Sequence, residues 1–421
     1  MKKSILNILI SAFTLPVLSF CSPKAQKPNT SVIIKKQINQ PEAAKTSLKT
    51  GAEQLNLYLP LLKDKKVGMV VNQTSVIKGK HSIDTLRKSG VNIVKAFGPE
   101  HGFRGQASAG AKVQSNTDPQ TGIPVVSLYG SHYKPTKDDL TGLDILIFDI
   151  QDVGARFYTY ISTLHYVMEA CAENNLPLII LDRPNPNGFY VDGPILEEKY
   201  TSFIGMHPVP IVHGMTIGEY AQMINGEGWL KNKVKCQLNI IKMNNYTHST
   251  PYTLPVKPSP NLNTQQSILL YPSLCLFEGT IISQGRGTYF PFQVLGAPAL
   301  AGKYSFNFTP VSITGMSETP LHQDKKCFGL DLRNYDTNTF RKTGQINLKW
   351  LMELYKAYPE KEKFFDYKQS KQMNNFDKLA GTEKLRQQII AGVTEENIRK
   401  SWEPELSRYK QMRKKYLLYP L

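Results

Sequence analysis

The sequence has 421 residues, 41% of them hydrophobic and 20% charged, with a formal net charge of +17. That length holds two domains, or one large domain with an appendage, and the hydrophobic share excludes a mostly disordered chain. Its five cysteines include no C-x-x-C pair, which argues against a zinc ribbon or a thioredoxin-like site.

Met1-Lys2-Lys3 is a basic start, and Ile5 to Phe20 is a mostly apolar run too short to span a membrane comfortably. This is the pattern of an export signal. It ends in Leu18-Ser19-Phe20-Cys21, a lipobox-like stretch with Cys21 as the lipidation site, although Phe20 stands where a small residue is usual. Residues 1–21 are expected to be a signal peptide of the lipoprotein type. Residues 22–50, rich in Lys, Gln, Pro, Ser and Thr, are expected to be a flexible tether. The expected location is the cell envelope or periplasm, with a membrane anchor on Cys21. Export argues against nucleic acid as the partner of the basic charge and leaves envelope glycans and anionic lipids.

From Lys66 onward, strands and helices alternate. Val67–Val71 is an apolar run of strand length, and residues 82–89 are predicted helical. Strands are predicted over 91–97, 124–128 and 143–150. A helix over 161–174 puts Ile161, Leu164, Val167, Met168 and Cys171 on one face. A strand over 176–181 follows, then a helix over 216–225 with Thr216 as N-cap and Glu219 three residues on, then a strand over 237–241. Continuous apolar strands separated by helices mean a mainly parallel sheet covered on both faces. The fold class is therefore α/β and Rossmann-like, with 51–245 as the catalytic domain. Pro251, Pro255, Pro258, Pro260 and Pro272 then mark an irregular stretch. Helices over 347–357, 383–392 and 395–415 belong to a smaller C-terminal α+β domain, 246–421, that contributes to the cleft.

Polar loops follow most of these strands: Asn72-Gln73-Thr74, Glu100-His101-Gly102 with Arg104, Asp149 to Tyr160, and Asp182 to Gly188. His213-Gly214 precedes the later helix. In a doubly wound sheet such loops converge on one crevice, and this set suits a polyhydroxylated ligand. No G-x-G-x-x-G, Walker A or G-x-S-x-G sequence occurs. The eight histidines lack metal-ligand spacing, so neither metal nor cofactor is expected. Ser75-Val76-Ile77-Lys78, Ser259-Pro260-Asn261 and Lys342-Thr343-Gly344 mimic penicillin-binding motifs. The first lies in a Lys- and Gly-rich turn and the last runs into a helix, which is the wrong context for that chemistry.

The stretches Phe97-Gly98-Pro99-Glu100-His101-Gly102, Asp149 to Tyr160, Asp182-Arg183-Pro184-Asn185-Pro186, Phe277-Glu278-Gly279-Thr280 and Gly285-Arg286-Gly287-Thr288 together resemble the NamZ-type exo-β-N-acetylmuramidases, from about Lys66 to the C-terminus. The resemblance implies a Rossmann-like domain with a smaller C-terminal one. It implies hydrolysis of the β-1,4 bond of non-reducing-end N-acetylmuramic acid in peptidoglycan fragments, with muropeptides or MurNAc-GlcNAc saccharides as partners, in cell-wall turnover and recycling. Val212 departs from the family pattern, which has a basic residue before His213.

The residues agree with this reading. Muramic acid carries a lactyl carboxylate, whose natural receptor is the fork of an arginine: Arg104, Arg156, Arg183 or Arg286. Glycoside cleavage normally uses two carboxyl groups. Glu100 is the first candidate for general acid/base, and Asp152, Asp149 and Glu278 compete as its partner. A third route uses the substrate's own acetamido group, oriented by an Asp. His101 either orients Glu100 or holds its loop. Asn72, Tyr158, Asn185, His213 and Asn261 are candidate sugar ligands. The rival readings are a non-catalytic muropeptide-binding lipoprotein and a penicillin-binding-type serine hydrolase acting through Ser75. The sequence leaves stereochemistry and oligomeric state open.

Overall fold

The computed structural model describes residues 47–100, 102–103, 116–365 and 373–421. The expectations for Cys21, His101 and Arg104 lie outside these residues. The centre is a seven-stranded sheet in the order Leu238–Ile241, Leu178–Leu181, Ile145–Asp149, Val67–Val71, Ile93–Gly98, Pro124–Ser127 and Asn116–Thr117. The strands run parallel except for the short edge strand Asn116–Thr117. Chain order reverses between Val67–Val71 and Ile145–Asp149, which pair with Met69 beside Ile147. This is the doubly wound arrangement, and ligands of such sheets bind at that reversal, outside the carboxyl ends of the strands.

Strand periodicity explains the two cores. Alternate residues of each strand point to opposite faces. Val70, Phe97, Leu146, Phe148 and Ile180 meet the helix Tyr160–Glu173 through Ile161, Leu164 and Met168. Met69, Val71, Ala96, Ile147 and Ile179 meet Ile83 and Leu86 of the helix Ser82–Lys88, together with Ala52 and Tyr58. The helix Ile217–Gly226 starts as predicted: the Thr216 hydroxyl accepts from the Glu219 amide, while the Glu219 carboxylate takes the Thr216 amide.

The smaller C-terminal domain holds a three-stranded antiparallel sheet, with Cys327–Asp331 between Val294–Ala297 and Phe306–Phe308. Helices Lys349–Ala357, Lys384–Ile390 and Glu395–Lys414 follow it in the chain, close to their predicted spans. The helix Gln265–Leu274 lies in the stretch that its prolines marked as irregular. Pro272 is tolerated near its end because the helix carbonyl it cannot satisfy, that of Ile268, accepts from Asn187 Nδ2 at 3.1 Å. The last helix returns to the first domain: Tyr409 donates to the His213 carbonyl at 2.7 Å and Tyr419 to Asp182 Oδ2 at 2.6 Å.

The serine-hydrolase motifs do not assemble. Ser75 donates to the Asp149 carbonyl from a turn, and Lys78 is an exposed residue of a hairpin. Lys342-Thr343-Gly344 ends a helix, Asn338–Thr343, where the sequence had it leading into one.

Candidate active site

The crevice floor is tied together before any ligand-facing residue is reached. The Thr74 hydroxyl accepts from the Gln151 amide at 3.0 Å and donates to Asn72 Oδ1 at 2.6 Å, which locks the loop after the first strand to the loop after Asp149. Gln151 Nε2 holds the Pro184 carbonyl at 2.6 Å. Gly154 follows with φ +81°, and a Cβ there would lie 2.2 Å from Asn185 Oδ1. A glycine at 154 is thus demanded by both the backbone and the neighbouring loop.

Above this floor lies a partly open cleft of about 70 Å3. Four of the candidates line it: Glu100, Tyr158, Asn261 and Arg286. Glu100 is half-buried. Its Oε1 accepts from the Tyr129 hydroxyl at 2.9 Å and its Oε2 from the Thr159 hydroxyl at 3.0 Å, so both oxygens are oriented by neutral donors. The Tyr129 phenol is held well above its usual range by burial and by the Glu100 charge. Asn261 is buried, donates to the Met316 carbonyl at 2.8 Å, and has no partner for Oδ1 among the described residues. Tyr158 and Tyr160 both donate to the Pro258 carbonyl, at 2.8 and 3.2 Å.

Arg286 sits 5.1 Å over the ring of Phe292, another cleft residue, which holds φ at 55°. A left-handed aromatic residue is strained. Here the buried ring is clamped edge-on to Tyr271 at 5.0 Å, and the Phe292 amide reaches the Gln284 carbonyl at 2.7 Å. Glu278 Oε1 takes both Nε and Nη2 of Arg286 at 2.5 Å. Nη1 has no acceptor among the described residues. The guanidinium therefore keeps its outer edge available for a second anion.

The other candidates are placed away from the cleft wall. Glu278 stands behind Arg286 as its counter-ion. Asp149 and Arg183 form a buried ion pair at 2.7 Å, and Arg183 also binds the Val76 carbonyl. Burial opposes the Arg183 charge, but Asp149 more than restores it, and its pKa stays raised. Arg156 is fully buried and donates to the carbonyls of Pro194, Val209 and Leu379 at 2.7–2.9 Å. Without a carboxylate partner among the described residues, burial lowers its pKa. Asn185 is spent on the Met215 carbonyl and the Asn187 amide. Asp152 is buried, accepts from the Gly154 amide at 2.6 Å and lies 3.6 Å from His213 Nε2. The Nδ1 of His213 accepts from the Met215 amide, so Nε2 carries the proton facing Asp152. Asn72 is buried in the crevice floor. Val212 is a buried strand residue bridged to Ala155 and does not line the cleft.

Thr159 and Tyr129, whose hydroxyls hold Glu100, were passed over by the sequence reading. Thr159 lies inside a quoted motif, and Tyr129 lies just after the strand Pro124–Ser127. Its loop was not among those included, although the same convergence rule covers it. Among the described residues no three His, Cys, Asp or Glu side chains gather as a metal site. A second concavity, beside Glu197 and Trp402, holds about 250 Å3 but contains none of the motif residues. Its Glu197 is engaged by Thr382 and Lys384.

The family model for the exo-β-N-acetylmuramidase NamZ N-terminal domain matches residues 67–266, and that for the C-terminal domain matches 269–419. The peptidoglycan β-N-acetylmuramidase NamZ of Bacillus subtilis (strain 168) is 42% identical over 396 residues, covering 90% of this chain and 92% of that protein. Two crystal structures of DUF1343 family proteins from Bacteroides fragilis NCTC 9343 share the fold. One is 45% identical with a TM-score of 0.81, over 89% of this chain and 99% of its own. The other is 30% identical with a TM-score of 0.75, over 88% and 99%. Both domain models fall in order on the two halves that form the cleft, and the chain belongs to the NamZ family of exo-β-N-acetylmuramidases.

Proposed function

We propose that this chain is an exo-β-N-acetylmuramidase that hydrolyses the β-1,4 bond of a non-reducing-end N-acetylmuramic acid in peptidoglycan fragments, in cell-wall turnover and recycling. The observation that carries it is the pairing, in one cleft, of an oriented half-buried carboxylic acid, Glu100, with an arginine whose outer edge is unspent, Arg286. Glu100 protonates the leaving glycosidic oxygen. Arg286 receives the lactyl carboxylate, and Glu278 is the positioning residue that fixes its guanidinium.

The second step follows from the carboxylates. Glu100 is the one acid lining the cleft among the described residues. This favours the substrate-assisted route. The acetamido oxygen attacks the anomeric carbon as Glu100 gives its proton to the leaving sugar. The Glu100 carboxylate then takes a proton from the water that opens the oxazoline, with net retention. Asn261 Oδ1 accepts the acetamido N–H and aims its carbonyl. Asp152 and His213, a buried pair 3.6 Å apart, are positioning residues in this reading.

The same reading takes the N-terminal signal at face value, with Cys21 acylated and the enzyme held at the envelope. Metabolic labelling with a fatty acid, lost in Cys21→Ala, tests that part. The activity is tested with a chromogenic β-N-acetylmuramide beside the matching β-N-acetylglucosaminide. Release from the muramide, abolished in Glu100→Gln without loss of binding, is expected. No release from either sugar leaves the non-catalytic muropeptide-binding protein as the better account.

A further inference from the structure

Beyond Glu100, on the side away from Arg286, four aromatic rings from three separate chain segments meet while staying half-exposed: Tyr129, Tyr133, Tyr166 and Phe203. Phe203 and Tyr133 are 4.1 Å apart between centroids. The Tyr166 ring lies nearly parallel to both, at 6.3 Å and 18° from Tyr133 and 6.4 Å and 15° from Phe203. Tyr129 joins this group to the acid, with its ring 5.9 Å from Tyr133 and its hydroxyl on Glu100 Oε1. The rings lining the cleft proper, by contrast, are buried.

Glu100 stands between two surfaces: Thr159, on the cleft side, holds one oxygen, and Tyr129, on the shelf side, holds the other. A general acid must reach the oxygen that joins the two sugars, so it sits at the boundary between the retained and the departing unit. The muramic acid occupies the cleft, and its departing neighbour must then lie past the carboxyl, over these rings. A pyranose presents an apolar face of C–H groups, which an aromatic face covers without needing a hydrogen-bond partner. Packing alone explains why the rings touch, but it does not explain why three segments hold them half-exposed beside the acid.

We infer that Tyr133, Tyr166 and Phe203 form the binding platform for the departing N-acetylglucosamine residue, a subsite that sets which saccharides are cleaved. This deepens the muramidase reading and rests on it. The test compares a MurNAc-GlcNAc disaccharide with β-N-acetylmuramyl fluoride, which has no second sugar. Tyr133→Leu and Phe203→Leu keep apolar volume and remove the aromatic face. Each is expected to lower kcat/KM at least tenfold on the disaccharide and to change fluoride hydrolysis less than twofold, with Tyr133→Phe close to wild type on both. An equal fall on both substrates, or no fall on the disaccharide, overturns the platform. Failure of the wild-type enzyme to hydrolyse the fluoride overturns the muramidase reading instead.

Discussion

Replacing Arg286 by Met tests the specificity argument at its centre. Methionine keeps much of the apolar stem against Phe292 and deletes the fork. The lactyl carboxylate then loses charge-assisted hydrogen bonds worth about 1.5–3 kcal/mol each. The Arg286 side chain is 25% exposed, so water recovers part of this. A net loss of about 2–3 kcal/mol corresponds to roughly 30–150-fold in kcat/KM. Removing the cation also leaves Glu278 unpaired beside an anionic substrate, which costs about 1–2 kcal/mol more at an effective dielectric of about 20. The double variant Arg286→Met with Glu278→Gln should therefore recover roughly tenfold over the single one. The assay measures kcat/KM on the paired muramide and glucosaminide. The loss should fall on the muramide, which carries the lactyl group, and the selectivity ratio should collapse. Equal losses on both sugars would refute the assignment and make Arg286 a structural residue.

Arg156→Met should remove the guanidinium donor from the Pro194, Val209 and Leu379 carbonyls, leaving Val209 the Leu196 amide, at about 1–3 kcal/mol for each carbonyl left unsatisfied. The released cost of burying the guanidinium offsets part of that, so a net destabilisation of about 3–5 kcal/mol is expected in chemical denaturation, with little change in the KM of the folded enzyme. A variant of wild-type stability would show that the three carbonyls find other donors. Acid should destabilise the protein through His165 and His207, whose pKa values burial lowers. Their contribution is present above the unfolded value near 6.5 and is lost as pH falls, with a slope of up to about 1.4 kcal/mol per unit for each. Asp182 works in the opposite direction: burial raises it to about 6, so its contribution is present below the unfolded value and is lost as pH rises through about 6. The His term is therefore read as the difference between wild type and His207→Gln, followed by denaturation from pH 7.5 to 5. Parallel curves would remove His207 from the account.

Much of the sheet was legible because its strands are buried on both faces and read as unbroken apolar runs, such as Val67–Val71 and Ile145–Asp149. Thr216 and Glu219 announced their helix through a local rule. The antiparallel sheet of the C-terminal domain was not legible. Its central strand Cys327–Asp331 alternates only weakly and is made by partners 19 to 37 residues away. The helix Gln265–Leu274 hid behind Pro272, whose cost is offset by a side chain from another domain half. At the site, glycine-rich motifs drew attention to Glu100 and Arg286, which line the cleft. Arg156, Arg183 and Glu278 sit in equally polar motifs, yet their charges are spent inside the protein. Residue type and loop position cannot tell a charge facing a cleft from one facing backbone carbonyls; that depends on which chain segment folds over it.

The return of the last helix onto the first domain bears on how the molecule is assembled in time. Asp182 receives Tyr419 across 237 residues of sequence, and Glu219 receives the Leu418 amide across 199. Both carboxylates are buried at the carboxyl edge of the sheet. Until residues 409–419 dock, these acids lack donors that their surroundings require, and the loops they brace are unfinished. The parallel sheet can collapse early on its own apolar runs, but the crevice it supports matures only when the most distant part of the chain arrives. Long-range closure of this kind slows folding and leaves an intermediate open to proteolysis. A nick between Lys415 and Leu418 would therefore damage the cleft from the opposite end of the sequence, without touching a residue that meets the sugar.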